Sequence, residues 1–175
     1  MTLSAGQVKL VPLIATVIQR RLERADFTAT LLGVKEPVRF GDEWPGDLLP
    51  IFPVFASALS GNEAALGQYI VVDTDRSLAV GATGILGQVE HGSVEIGYGI
   101  NASERGRGFA GTAVRLLVAR LWDRKVVPAD VTEITAKTAV DNRASERVLE
   151  KNGFVRTGTD HSDEDGDLIT WAIRR

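Results

Sequence analysis

Eight consecutive residues, Glu104-Arg105-Gly106-Arg107-Gly108-Phe109-Ala110-Gly111, combine types and spacing that suit phosphate recognition. They follow an alternating segment, Val94–Ile100, that reads as a strand, and they open an apolar-periodic segment, Ala113–Trp122, that reads as a helix. A strand passing through a glycine-rich turn into a helix start aims several backbone N–H groups at one spot, and the helix dipole adds partial positive charge there. Arg105 and Arg107 reinforce this, because guanidinium groups pair well with phosphate oxygens. Farther along, Asn142 follows a strand end and suits the N-cap of a helix beginning at Arg143, with the hydroxyl of Ser145 in its first turn. Glu95 places a carboxylate in a mostly apolar strand, where partial burial suits a proton acceptor, often acting through water. The plain alternative for Glu95 is an exposed position on the open face of a sheet. His91 falls in a turn and His161 in a loop, and both are less well placed.

Two other readings of these motifs fail on context. Gly106-x-Gly108-x-x-Gly111 formally matches the dinucleotide fingerprint, but the strand before it alternates, carries Glu95 and comes after two antiparallel strands. Asp141, the candidate ribose acid, lies farther on than the ~20 residues the fingerprint expects. The acidic segment Asp160–Asp167 resembles a calcium loop only superficially: the first ligand position would be His161 and the last Ala172.

The elements that must position these residues can be read from periodicity and punctuation. Gln7–Leu13 suits a first strand with Pro12 near its end, and Ile14–Leu32 suits an amphipathic helix, broken near Asp26 and closed by Gly33. The prolines of Gly41–Pro53 interrupt regular structure, while Leu48–Leu59 has room for a short helix or two. Gln68–Val72, Ser77–Gln88 and Gly92–Ile100 read as an antiparallel meander. A helix over Ala110–Lys125 follows, then a break at Pro128, a strand over Val131–Ala139 and a helix over Asn142–Asn152 closed by Gly153. Phe154–Thr157 and Leu168–Ile173 form a last hairpin around the acidic segment, which reads as a solvated loop.

Composition narrows the function classes. The 175 residues fit one domain, 1–175, with a core that needs no staples. A net charge of −3 argues against a nucleic-acid partner, and the absence of cysteine excludes disulfides, thiolate catalysis and Cys-ligated metals. No apolar run approaches membrane-spanning length and the first ten residues lack a signal pattern, so the expectation is a cytoplasmic protein with no membrane partner.

Arg105-Gly106-Arg107-Gly108-Phe109-Ala110 resembles the Arg/Gln-x-x-Gly-x-Gly/Ala pyrophosphate loop of the GNAT superfamily of acyl-CoA-dependent N-acyltransferases. Asn142–Phe154 is similar to the N-x-x-S-x-x-x-L-x-x-x-G-F signature of the branch that includes the ribosomal-protein N-terminal acetyltransferases. The two motifs stand in the right order, one helix and one strand apart, and the resemblance covers residues 68–174 well. It implies an α/β protein of the α+β type with the GNAT fold: a mixed central sheet, flanked by helices, in which two parallel strands splay apart to admit the pantetheine arm. Those strands are here Gly92–Ile100 and Val131–Ala139.

The resemblance also implies acetyl-CoA as cosubstrate, with no metal. Backbone N–H groups near Gly99 and Ile100 would polarise the thioester carbonyl, and those of Arg105, Gly106, Arg107, Gly108, Phe109 and Ala110 would hold the pyrophosphate. Asn142 would contact the pantetheine, and Ser145 would protonate the leaving thiolate in place of the usual tyrosine, whose position Leu149 fills. Glu95 fits the glutamate that family members frequently use as base on a central strand. Each residue has a plainer role beside it: a tight turn with close helix packing for the glycines, capping alone for Asn142, and a small residue on a packed helix face for Ser145. The acceptor would be a protein N-terminus or a small-molecule amine, and homodimers are frequent in this branch. Trp44, Phe52 and Phe55 are candidates for the wall of an acceptor pocket or for core. Leu149 also leaves open a non-catalytic acyl-CoA-binding or sensing domain.

Overall fold

In the computed structural model, which describes residues 2–61, 64–123 and 131–175, the chain divides into two compact units. One contains Met1–Gly84 and Tyr98–Leu116, the other Ile85–Gly97 and Leu117–Arg175. Three elements run from one unit into the other: β6 (Leu78–Glu90), β7 (Ser93–Ile100) and α3 (Phe109–Leu121).

The first unit begins with β1 (Leu3–Ala5) and β2 (Val8–Ile14), an antiparallel pair. β2 pairs in turn with β5 (Ala64–Asp73), with a register shift between Pro12 and Ile14, where a proline has no N–H for the ladder. β5 pairs antiparallel with β6 from Asp73↔Leu78 to Gln68↔Gly84. The helix expected over Ile14–Leu32 does break near Asp26, but beyond the break the chain is strand: α1 covers Ala15–Glu23, and β3 (Phe27–Ala29) pairs antiparallel with β4 (Val38–Phe40). Phe27 and Ala29 are buried while Thr28 is exposed, a period of two that fits a strand, and Phe27 stacks on Phe40 with ring centroids 4.6 Å apart. Gly33 therefore lies between these strands and closes no helix. β4 touches β6 in parallel at Arg39↔Leu78. A 3-10 turn (Gly46–Ile51), which contains Pro50, and α2 (Phe52–Ala58), with Pro53 in its first turn, supply the short helices expected within Leu48–Leu59. With α1 they cover a core built on Ile18, Phe40, Trp44, Phe52, Ile70 and Val72.

In the second unit β7 pairs in parallel with β8 (Glu133–Ala139), β8 antiparallel with β10 (Gly166–Arg174), and β10 antiparallel with β9 (Val155–Ser162). β8 starts two residues later than expected; Thr132 N–H instead donates to the Gly92 carbonyl at 2.8 Å. The parallel ladder holds three pairs and ends at Glu95↔Thr135, although β8 goes on pairing with β10 to Ala139. α4 (Arg143–Lys151) lies between β8 and β9, as expected. The last hairpin is longer than expected, so most of the acidic segment is strand and only the turn at Asp163–Asp165 stays outside the ladder. Both units thus carry mixed sheet, in agreement with the expected architecture. α3 begins one residue earlier than expected and ends at Leu121; Lys125 and the break at Pro128 lie outside the described residues. Among the described residues, no helix is long and apolar enough to cross a membrane.

Candidate functional site

In the first unit the exit of β7 is pinned to β6. Asn101 N–H donates to the Val80 carbonyl at 2.9 Å, and its side-chain amide donates to the Ala79 carbonyl at 3.1 Å. A single 3-10 turn, Ala102–Glu104, follows. Glu43 caps it: its carboxylate accepts from Ser103 N–H at 2.9 Å and from Ser103 Oγ at 2.8 Å, and these bonds hold the Glu43 carboxyl below its usual range.

Gly106 (φ +77°) and Gly108 (φ +82°) then turn the chain into α3 through conformations that other residues rarely adopt. A Cβ added at either position would meet nothing within 4 Å. Close packing against the helix is therefore not what requires glycine here; the turn requires it, and the turn faces open space. Thr112 N–H donates back to the Gly108 carbonyl at 3.2 Å, while by helix geometry the N–H groups of the first turn, from Phe109 on, have no partner inside the helix. Exposed glycines, N–H groups of a helix start and two exposed arginines make an arrangement that fits a pyrophosphate.

The side chains around the turn divide the labour. Arg105 folds back, its Nε donating to the Ile100 carbonyl at 3.2 Å. The Phe109 ring is buried in the core, so only its backbone belongs to the turn. Gly99 and Ile100 are buried at the end of β7, where a Cβ added at Gly99 would lie 3.7 Å from the Pro45 carbonyl oxygen and 3.8 Å from the Asp47 nitrogen. Arg107 reaches Glu104, with Nη1 3.2 Å from Oε2. Glu104, itself buried, also takes a two-pronged contact from Arg76: Nη1 to Oε1 at 3.0 Å and Nη2 to Oε2 at 2.5 Å. The third nitrogen of Arg76 donates to Asp73 Oδ2 at 2.6 Å. The hydrogen bond from Arg76 holds the Glu104 carboxyl below its usual range, and the two carboxylates bind the Arg76 proton more firmly than usual. This network was missed in the sequence. Asp73 and Arg76 lie between the strands read over Gln68–Val72 and Ser77–Gln88, and nothing local links Arg76 to a glutamate 28 positions on.

In the second unit Glu95 is half-buried on β7, with its carboxylate 3.6 Å from Lys137 Nζ on β8. Lys137 also donates to Asp160 on β9 at 3.0 Å. That bond, and then the charge of Glu95, hold the lysine protonated above its usual range; Lys137 in turn lowers the Asp160 carboxyl. Glu95 thus sits beside a cation, where the sequence suggested mostly apolar surroundings. The signal was partly present, because Thr135 and Lys137 share one face of β8 by alternation. The register that sets Glu95 opposite Thr135 is a tertiary fact.

Asn142 caps α4 as expected, its Oδ1 accepting from Ser145 N–H at 3.1 Å. Ser145 is half-buried, beside the buried face formed by Glu146 and Leu149. Leu149 is fully buried, which accounts for an apolar residue there. Trp44 and Phe52 are buried in the core of the first unit, and the Trp44 indole N–H donates to the Gly81 carbonyl at 2.9 Å. Phe55 is partly buried against that core. His161 pairs with Asp167 at 2.8 Å on the last hairpin, where both side chains are exposed.

Residues 17–155 match the acetyltransferase (GNAT) domain family. Over 117 residues the chain is 36% identical to an uncharacterized N-acetyltransferase, YjdG, of Bacillus subtilis (strain 168), an alignment covering 65% of this chain and 67% of that protein. Among solved structures, a GNAT-family acetyltransferase from Bacillus anthracis superposes with a TM-score of 0.68 at 17% identity, covering 99% of this chain and 98% of the other. The ribosomal L7/L12 α-N-protein acetyltransferase RimL, solved with coenzyme A, gives a TM-score of 0.66 at 13% identity over 99% of this chain and 98% of its own.

Proposed function

Since the chain belongs to the GNAT acetyltransferase family, we propose that it transfers the acetyl group of acetyl-CoA to a primary amine by direct attack within a ternary complex. The observation that carries this reading is the turn at Arg105–Ala110, where two glycines of positive φ face open space at the start of α3. That turn suits a diphosphate, and acetyl-CoA brings one attached to a thioester.

The amine nitrogen forms a bond to the thioester carbonyl carbon, the carbon–sulfur bond breaks, and the amine loses one proton while the thiolate gains one. Backbone N–H groups at the end of β7, near Gly99 and Ile100, stabilise the oxyanion of the tetrahedral intermediate. Glu95 receives the proton from the amine, directly or through water. Lys137 Nζ, 3.6 Å from that carboxylate, helps to fix its place on the sheet. Ser145 gives its hydroxyl proton to the thiolate and recovers one from solvent. Asn142 holds the first turn of α4, on which Ser145 sits, and meets the pantetheine arm.

The acceptor is a protein N-terminus or a small amine. Incubating the protein with acetyl-CoA and a panel spanning N-terminal peptides, polyamines, aminoglycosides and amino acids, with free thiol as the readout, tests the proposal. Thiol release that depends on one amine class supports it. Tight CoA binding without thiol release from any member overturns transfer and leaves an acyl-CoA-binding domain.

A further inference from the structure

We infer that Arg76, far from the phosphate turn in sequence, is a positioning residue for it: by occupying both oxygens of Glu104 it keeps Arg107 available to an anionic donor. The inference rests on the reading of the Arg105–Ala110 turn as a phosphate grip.

A carboxylate at Glu104 is an odd neighbour for such a grip. It is buried, it lies two residues before Gly106, and unneutralised it would repel a diphosphate. The cluster balances this charge. Asp73 and Glu104, with side chains 2% and 9% exposed, face the guanidinium groups of Arg76 and Arg107. Arg76 bonds through all three nitrogens, one to Asp73 and two to Glu104, so its fork is fully committed. Arg107 is held more loosely, by a single 3.2 Å contact to an oxygen that Arg76 already engages at 2.5 Å, and its side chain is 49% exposed. Both guanidinium carbons also lie over the buried Phe109 ring, 6.0 Å from its centroid for Arg76 and 5.8 Å for Arg107. Phe109 is the first residue of α3, so the cluster is seated on the helix whose N–H groups form the grip.

Removal of Arg76 leaves two buried carboxylates and one guanidinium. Glu104 then captures Arg107 with both oxygens and draws it away from the turn. A lysine at position 76 supplies charge but cannot bridge three carboxylate oxygens on two residues. The defect is therefore specific to the phosphate end of the donor, and removing the Glu104 charge relieves it.

The test is calorimetric titration of CoA into wild type, Arg76→Gln, Arg76→Lys and the double variant Arg76→Gln/Glu104→Gln, alongside turnover of acetyl-CoA and of acetyl-pantetheine, which lacks the diphosphate. Arg76→Gln is expected to weaken CoA about tenfold, the scale of one charge-assisted contact. Acetyl-pantetheine turnover should stay at the wild-type rate, Arg76→Lys should fail to restore CoA affinity, and the double variant should recover most of it. The inference is overturned by a double variant as weak as the single one, by equal losses for both donors, or by a lysine variant that binds CoA like wild type. Arg76→Lys keeps a cation against the carboxylates, so its result reads the inference even where Arg76→Gln does not fold. Wild-type protein that binds CoA but releases no thiol refutes acetyl transfer alone, because the calorimetric comparison still decides the role of Arg76. Wild-type protein that binds no CoA overturns both.

Discussion

Replacing Gly108 by alanine separates a turn that only connects two elements from one that holds a ligand. The residue has φ +82°, and an added Cβ would meet no atom within 4 Å, so the protein itself opposes alanine only through backbone conformation. That opposition costs about 1–2 kcal/mol, or roughly 2–8 °C in Tm for a chain of this size. The loss of donor binding should be larger than this strain suggests. The new methyl group enters the space facing the turn, and any relaxation of φ swings a neighbouring N–H away from the phosphates. One charge-assisted hydrogen bond is worth about 1.5–3 kcal/mol, so CoA affinity should fall about 10- to 100-fold.

Gly6→Ala is the matched control. Gly6 also has a positive φ (+57°), also has nothing within 4 Å of an added Cβ, and lies in the turn between β1 and β2. It should lower Tm comparably and leave CoA binding untouched. Melting followed by circular dichroism gives the first quantity and titration calorimetry the second. If Gly108→Ala lowers Tm as expected but binds CoA as wild type does, the turn is merely structural and the phosphate reading fails.

Other perturbations reach the remaining parts of the proposal. Asn142→Ala should cost about 1 kcal/mol of stability through loss of the helix cap. Asn142→Asp should keep the cap, and a raised KM for acetyl-CoA in that variant would locate a pantetheine contact that an unchanged KM would deny. Glu95→Gln should lower kcat about 10²- to 10⁴-fold with the donor KM unchanged, and an undiminished kcat would remove Glu95 as the base. The pairing of Glu104 with Arg76 makes an acid-limb prediction. The native carboxyl titrates below its ordinary value of 4.5, so at pH below that value the unfolded chain binds more protons than the folded one. The stability from this pair is present above pH 4.5 and is lost as pH falls through the lowered native value. Denaturant titrations across that range should show a shallower loss in Glu104→Gln, and identical slopes would refute the coupling.

Local chemistry was legible wherever a few neighbouring residues decide the structure. The glycine turn, the start of α3 and the Asn142 cap each depend on φ preferences and on hydrogen bonds within four residues, and all three were readable. The strand after α1 was not. Local periodicity allows helix to resume beyond the break near Asp26, and the pairing of Phe27–Ala29 with Val38–Phe40 and the stacking of Phe27 on Phe40 show that burial against a distant strand overrides it. The last hairpin was underestimated for a related reason. Its acidic residues read as loop, but β9 is exposed along most of its length, so charged side chains there stay largely solvated on pairing with β10.

The order of the two motifs and the residue types within them, Arg105–Ala110 and Asn142–Phe154, came from the sequence alone, because chain geometry near each motif is set by its own residues. Which charges stand beside them was decided by tertiary structure. Arg76 reaches Glu104 across 28 positions, and Lys137 reaches both Glu95 and Asp160 from another strand. Coulomb energy depends on distance in space, and a sheet's register brings together residues that no local pattern connects.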